Sequence, residues 1–508
     1  MEHRERFLQT ARWLLPELRH ERVTVADTVE VRQQGGETVV RLAEDYRART
    51  LRKGDVVCLD FGNHWVGHLT LRLGSAGSHP DAPAWLRIKF AERPCELWEN
   101  AEDYRGWISM GWIQQEQVHI DVLPAELALP RRYAFRYVQI EVLDVSSKYQ
   151  LTLTDAWCDA TTSADDAALQ DYQSDDAELV KLDSIACRTL RECMQTVFED
   201  GPKRDRRLWL GDLRMQALAN YETYRSNDLV KACLYLFAGT ADADGRISAC
   251  LFLEPGIEAD DTLMFDYSLF FAATLRDYYR ATGDMETVRD LWPSALRQIE
   301  LARTQFDARG IVRDRDQLGW CFVDWNLALN KQAGAHGIYL YCLKAAIELA
   351  QALSLAEAVS ELRQEYAKKK DAAMRHLWDD NRRLFVSGAE NQISWASQVW
   401  MVLGGAVVGE DAAKLLERAS RHAEIMEMVT PYMYHNYVDA LLAAQQQEKA
   451  LEVLRTYWGG MAAEGSDTFW ELYNPANPNE SPYGGTIVNS YCHAWSCAPA
   501  YFLRKYYR

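Results

Sequence analysis

The stretch "EDGPKRDRRLWLGD", residues 199–212, gathers four carboxylates and four cations in one irregular segment. Glu199, Asp200, Asp205 and Asp212 stand among Lys203, Arg204, Arg206 and Arg207, with Trp209 between them. Gly201, Pro202 and Gly211 argue against an exposed helix face. A second polar, aromatic segment lies far along the chain, "AAEGSDTFWELYNPANPNESPYGG". There Trp470 and Glu471 follow a break at Gly465–Ser466, and Pro475, Pro478, Pro482, Gly484 and Gly485 keep a long loop irregular. Long irregular loops in compact domains are often functional. A third candidate is His493 in "NSYCHAW", on the last helical stretch.

The chemistry open to such residues is proton transfer by carboxylates. The chain has no GxSxG, no P-loop, no HExxH and no clustered His/Cys set, so those signatures of nucleophilic, phosphate-binding or metal chemistry are missing. Hydrolysis by paired carboxylates needs no cofactor, and none is expected. The same charges could instead be an ion-pair network that clamps a loop, since structural networks also perturb pKa values. Trp209, Trp325 and Trp470 could be core indoles, and His493 a satisfied core histidine. Asp212 could be the N-cap of a helix beginning "LRMQALANY". Asp266 in "FDYSLFF" is a further, weaker pocket candidate.

The elements that must position these residues change character near residue 165. From about residue 50 the pattern has period two: "HLTLRL", "WLRIKF", "VHIDV", "VQIEV" and "LTLTD" alternate apolar with polar residues between turn signals. Such a series implies an antiparallel sandwich. Before it, "RFLQTARWLLPEL" reads as helix and "TVEVRQ" as strand. From "SADDAALQDY" onward the period is helical, and Leu179, Leu182, Ile185, Leu190, Met194 and Val197 fit one helix face. Further helical stretches include "MFDYSLFFAATLRDYYRATGD", "HGIYLYCLKAAIELAQAL" and "SYCHAWSCAPAYFLRKYY". No strict short repeat is visible, which disfavours an open solenoid. The expectation is a multi-domain α and β protein. An N-terminal antiparallel β-sandwich domain over residues 1–165 would precede an (α/α)6 barrel over residues 166–508, with loop carboxylates converging at one end of the barrel.

Composition bounds the partners. The formal charge of −18 over 508 residues argues against nucleic acid or an anionic membrane as main partner. "MEHRERF" has no apolar run after it, and no segment approaches a bilayer span, so neither a signal peptide nor a membrane anchor is expected. Eleven cysteines without a CxxC pair read as free thiols in a reducing cytoplasm.

"DGPKRDRRLWLGD" resembles the "DCPxRExLGWTGD" signature of the α-L-rhamnosidases of glycoside hydrolase family 78, without a gap from Asp200 to Asp212. "GSDTFWELYN", "NSYCHAW" and "FVDWNLAL" resemble that family's "GATTxWERW", "SxNHYAxG" and "GDWL" segments, in the same order. "LDFGNHWVGHLTLRL" and "RYAFRYVQIEV" resemble its "DFGxxxxGxxxL" and "RYxFRYV" patterns. The chain departs at Asp205, where the signature has Glu, at Gly201 for Cys and at Leu208 for Gly. It also ends just past the His493 segment, so the family's C-terminal β-domain is expected to be absent. The resemblance implies inverting hydrolysis of a terminal α-L-rhamnoside, with flavonoid glycosides or oligosaccharides as substrates. Asp205 matches the general acid and Glu471 the general base. Asp200, Arg204, Asp212 and His493 match hydroxyl-binding positions, and Trp209, Trp325 and Trp470 match walls around the sugar. Cations at Arg204 and Arg206 flank Asp205 and would lower its pKa, so the acid role requires burial, a second carboxylate, or arginines turned out of the pocket. Other readings are another (α/α)6 glycosidase, a lyase, or an inactive carbohydrate-binding or scaffold protein. Loss of outer β-modules would leave apolar surface that a homodimer could cover.

Overall fold

The computed structural model describes residues 2–34, 37–314 and 318–507. The period-two segments become strands of one antiparallel system: β1 (Arg19–Thr24), β2 (Asp27–Gln34), β3 (Glu37–Leu42), β4 (Thr50–Leu51), β5 (Val56–Gly77), β6 (Ala84–Ala91), β7 (Gln115–Ile120), β8 (Ala125–Ala128), β9 (Tyr133–Asp144) and β10 (Tyr149–Thr162). The main path runs β1-β10-β5-β9-β6-β7, and β2, β4 and β8 pair beside it. The alternation puts one face of the long central strands into a core. Leu69, Leu71 and Leu73 of β5 meet Leu86, Ile88 and Phe90 of β6 and Val138 and Ile140 of β9 in one core. β5 is long enough to serve two sets of neighbours because it bends. Its register against β9 shifts between Asp60 and Trp65, where Gly62 takes φ +76°, a left-handed value that favours glycine. The expected strand "VHIDV" starts earlier, at Gln115, and stops at Ile120, ahead of the Leu123–Pro124 turn; Val122 is exposed.

The N-terminal helix α1 (Glu2–Leu14) does not pack on this β-domain. It lies on α4 (Asn227–Thr240), with the Phe7 ring 5.6 Å from Tyr235 and Leu8 against Gly239. The first residues thus join the helical core, in contrast to the division expected at residue 165. An amphipathic helix does not specify in its own sequence which neighbour will cover its apolar face.

The helical domain contains α2 (Ala177–Cys193), α3 (Leu210–Glu222), α5 (Phe265–Thr282), α6 (Met285–Ala302), α7 (Gln332–Ala352), α8 (Ala356–His376), α9 (Trp395–Leu403), α10 (Gly409–Ser420), α11 (Pro431–Ala443), α12 (Gln447–Val453), α13 (Gly459–Ala463) and α14 (Ala498–Tyr506). α3 packs on α5, α5 on α7, α7 on α9, α9 on α11 and α14 on α3. Burial separates two classes. Every residue of α9 is buried and α7 is apolar nearly all round, whereas α8 buries only Leu362, Ala372 and Ala373. Helices apolar on all sides belong inside and amphipathic ones outside. Among the described residues, sheet structure past residue 200 is limited to short ladders, one of which pairs Leu208–Trp209 with Cys250–Leu251. No helix among the described residues is long and apolar enough to cross a membrane.

Three local expectations are corrected. α2 ends at Cys193, short of Met194 and Val197 on the expected helix face, and an irregular loop follows. α3 begins at Leu210, so Asp212 lies in its first turn and is not its N-cap; Trp209 holds that place, without a side-chain capping bond. His493 is not helical: its backbone is extended (φ −144°, ψ 117°), and the last helix waits for Pro499 in its first turn.

Candidate active site

Most charges of the 199–212 loop are paired, and three of its carboxylates face a cavity. Its cations are held by partners, although Arg204 also borders that cavity. Arg204 Nε donates to the carbonyl of Val488 at 2.9 Å, and its guanidinium pairs with Glu471. Arg206 donates to the carbonyl of Arg132 at 2.8 Å. Arg207 stands 3.5 Å from Asp260 and over the Phe252 ring. Asp200, Asp205 and Asp212 instead line a cavity of about 1260 Å³. The loop is therefore both things its sequence allowed, an ion-pair clamp on one side and a row of carboxylates on the other. Its backbone closes on itself, since Asp200 N donates to Arg207 O at 3.0 Å and Arg207 N to Asp200 Oδ1 at 3.0 Å. At the tip Asp205 and Arg206 take φ values of 60° and 54°.

Arg204, Trp209, Trp325, Glu471 and His493 line the same cavity. Glu471 enters from the other polar segment and is buried between two donors: the Arg204 guanidinium and the Tyr483 hydroxyl, which donates to Oε1 at 2.6 Å. Burial pushes the Glu471 carboxyl above the usual range, while Arg204 and Tyr483 pull it back. Asp200 is driven well above the usual range by burial first, then by the charges of Asp205 and Asp212. Asp212 is raised by burial first and then by Glu471 and Asp205. His493 lies between these two aspartates, with Nδ1 3.7 Å from Asp212 Oδ1 and Nε2 3.9 Å from Asp200 Oδ2. Both separations exceed hydrogen-bond length. Burial, then the cationic Arg204, hold the imidazole pKa well below 6.5, so the ring is neutral at pH 7. Trp209 Nε1, Asp212 Oδ1 and His493 Nδ1 are buried without a hydrogen-bond partner among the described residues. Buried polar atoms are normally satisfied; two donors or acceptors and a carboxylate oxygen left open in one cavity suit a ligand rich in hydroxyls.

Two expected residues stand elsewhere. Trp470 is fully buried but does not line the cavity. It packs edge-on against Tyr473 and Tyr491, with the Arg93 guanidinium 4.1 Å over its face. Its neighbour Glu471 takes the side that faces the cavity. Asp266 is also buried outside the lining and accepts from the backbone N–H groups of Phe322 and Val323. Asp324, beside Trp325, similarly accepts from Val429 N and Thr430 N.

Other lining residues carried no sequence signal of their own. Tyr483 sits in the Pro/Gly-rich loop and meets Trp325 edge-on at 5.2 Å. Trp107, Ile108, Ser109 and Trp112 come from the β-domain, in the loop between β6 and β7, and Trp320 and Leu327 form another part of the rim. Two tryptophans in a Gly/Ser-rich loop, "RGWISMGW", were the available hint. All eleven cysteines are free, and no group of three or more potential metal ligands occurs among the described residues. The arrangement can bind a polyhydroxylated ring and exchange protons with it through carboxyl groups.

A model of the glycosyl hydrolase family 78 alpha-rhamnosidase N-terminal domain matches residues 21–160. A model of the bacterial alpha-L-rhamnosidase 6 hairpin glycosidase domain matches residues 169–507. Among solved structures, a rhamnosidase from Klebsiella oxytoca with rhamnose bound is 46% identical, with 99% of this chain and 98% of that one covered and a TM-score of 0.96. The family 78 rhamnosidase of Bacillus sp. GL1 shares the fold at 21% identity and a TM-score of 0.75, over 92% of this chain and 49% of that one. An N,N'-diacetylchitobiose phosphorylase from Vibrio furnissii is 22% identical over 260 residues, 43% of this chain, which spans only 32% of that protein's length.

Proposed function

The chain belongs to the α-L-rhamnosidases of glycoside hydrolase family 78, and from that premise we propose that it cleaves terminal α-L-rhamnosides with inversion at the anomeric carbon. In this reading Glu471 takes a proton from a water molecule as that oxygen attacks C1. The C1–O bond to the leaving group breaks, and Asp205 gives its proton to the departing oxygen. Inverting glycosidases hold their two carboxyls about 6.5–9.5 Å apart to leave room for the water. The observation that carries the proposal is the shared cavity: Asp205 and Glu471, remote in sequence, both line it, and Glu471 is gripped by Arg204 and Tyr483. Arg204 is paired to Glu471 and Arg206 turns to Arg132. Trp209, Asp212 and His493 supply open polar atoms for sugar hydroxyls, and Trp325 supplies an apolar wall. The Klebsiella oxytoca relative holds rhamnose, which supports the same sugar here. The aromatic rim supports small rhamnosides, flavonoid glycosides or oligosaccharides, as substrates.

A second reading has a specific observation behind it. The neutral form is favoured at Asp212, and a proton donor must carry its proton at working pH. Leaving-group dependence separates the two readings. D205N should slow hydrolysis of a natural rhamnoside by about 10²–10⁴-fold and of a nitrophenyl rhamnoside far less, because nitrophenolate departs without protonation. E471Q should damage both alike. If D212N shows the leaving-group dependence and D205N does not, the donor is Asp212.

The row of packed inner helices supports a closed (α/α)6 barrel, and the free thiols support a reducing, cytoplasmic setting. Exposed Trp13, Leu42 and Val122 support a homodimer that covers apolar surface.

A further inference from the structure

The β-domain grips the 199–207 loop at three points. Arg132 pairs with Glu199 at 2.7 Å near the loop's start. The carbonyl of Arg132 accepts from Arg206 at 2.8 Å near its end. Between them Glu96 forms a fully buried ion pair with Lys203. The Lys203 ammonium also donates to the carbonyl of Asn489 at 2.8 Å and lies 3.8 Å from Glu92. Glu96 is itself fixed, because its Oε1 accepts from the backbone N–H groups of Glu92 at 2.9 Å and Arg93 at 2.8 Å. Glu92 in turn accepts from the backbone N–H of Tyr491 at 2.6 Å, two residues before His493.

Neither Glu96 nor Lys203 lines the cavity. A buried ion pair is weak evidence for stability, since apolar residues of similar volume often serve as well. Its position is more telling. Lys203 lies two residues before Asp205, at the base of the turn in which Asp205 and Arg206 are both left-handed. Such conformations in residues other than glycine persist where the surroundings over-determine them, and they cluster at functional sites. Here the surroundings are the side chain of Lys203 on one flank and that of Arg206 on the other, both held by β-domain groups.

We propose that Glu96 is a positioning residue for the proton donor: through Lys203 it holds the left-handed turn that aims Asp205 at the leaving-group oxygen, which makes the β-domain part of the acid-catalytic apparatus. The inference rests on Asp205 as the donor. Arg204, which grips Glu471, lies between Lys203 and Asp205, so part of any defect falls on both kinds of substrate alike, and the donor's share is the part that depends on the leaving group.

The test compares hydrolysis of methyl and nitrophenyl α-L-rhamnoside by the full-length chain. E96Q leaves the Lys203 ammonium buried beside a neutral partner and should lower the melting temperature. E96Q/K203M removes both charges and should recover much of that loss, but it cannot restore the bond to Asn489 O. The ratio of nitrophenyl to methyl rates should rise about tenfold or more in both variants, with the double variant folded as the parent. D205N is measured beside them. If D205N raises the ratio and a stably folded E96Q/K203M leaves it at the parental value, the pair is only structural and the inference falls alone. If D205N itself leaves the ratio unchanged, the donor assignment fails and takes the inference with it.

Discussion

At the scale of single residues, the site sets burial against charge. Glu471 must be ionised to accept a proton from water, yet burial favours its neutral form, and Arg204 and Tyr483 offset that. Y483F removes a hydrogen bond to the ionised form, so the Glu471 pKa should climb. The acid limb of kcat/KM should move to higher pH by about one unit, with little loss on the alkaline side; a limb that stays in place would contradict the role of Tyr483. Asp212 is pushed in the same direction by burial, and the charges of Glu471 and Asp205 add to it. Its folded pKa lies well above the unfolded value, so the folded state holds its proton over a wider range. Stability is then lost as pH rises above the ordinary aspartate value, by about 1.4 kcal/mol for each unit of elevation. D212N has no such loss. It should lose activity on both kinds of rhamnoside about equally, melt higher than the parent at pH 8, and converge with it toward pH 4, as thermal melts across pH would reveal. The residue types at this site were legible in sequence, because carboxylates, cations and indoles crowd into Gly/Pro-broken stretches. The side each residue faces was not. Trp470 and Glu471 are adjacent, and one lies in aromatic packing while the other enters the cavity.

At the scale of elements, periodicity located the strands and long helices but was silent about irregular chain. Tyr483 has no periodic context, and its importance emerges only from what touches it. Its carbonyl accepts from the Tyr104 hydroxyl at 2.6 Å, Trp107 Nε1 donates to the carbonyl of Pro482 at 2.9 Å, and Glu99 accepts from Thr486 N at 2.8 Å. The loop between β6 and β7 thus holds the loop that carries Tyr483. The approach is so close that a Cβ on Gly106 would lie 1.8 Å from Tyr483 O and 2.2 Å from the Tyr104 hydroxyl. G106A should therefore displace Tyr483 and lower kcat/KM by about 10²-fold, the order expected for an ångström of misplacement, while far-UV circular dichroism stays unchanged. Activity close to the parent's would mean that Tyr483 tolerates movement. His493 carries a related lesson. Its surroundings read as helical from apolar spacing, but the extended backbone is what lets His493 N donate to Phe469 O at 2.9 Å and the ring reach toward Asp200 and Asp212.

At the scale of the whole molecule, the change of period near residue 165 separated sheet from helix, and the two parts then proved interlocked. α1 docks on the helical domain, and the β-domain contributes Trp107, Ile108, Ser109 and Trp112 to the cavity wall. Sequence period cannot reveal this, since contacts between domains leave no mark on local spacing. The exposed apolar side chains lead to an expected dimer mass by light scattering at micromolar concentration; a monomer mass would count against assembly. The central claim is that water, activated by Glu471, attacks the anomeric carbon opposite to the leaving group. Proton NMR of the first product, recorded before mutarotation, tests it most directly. β-L-rhamnose should form first from an α-L-rhamnoside. Initial release of the α-anomer would mean a covalent intermediate and would contradict direct attack by water.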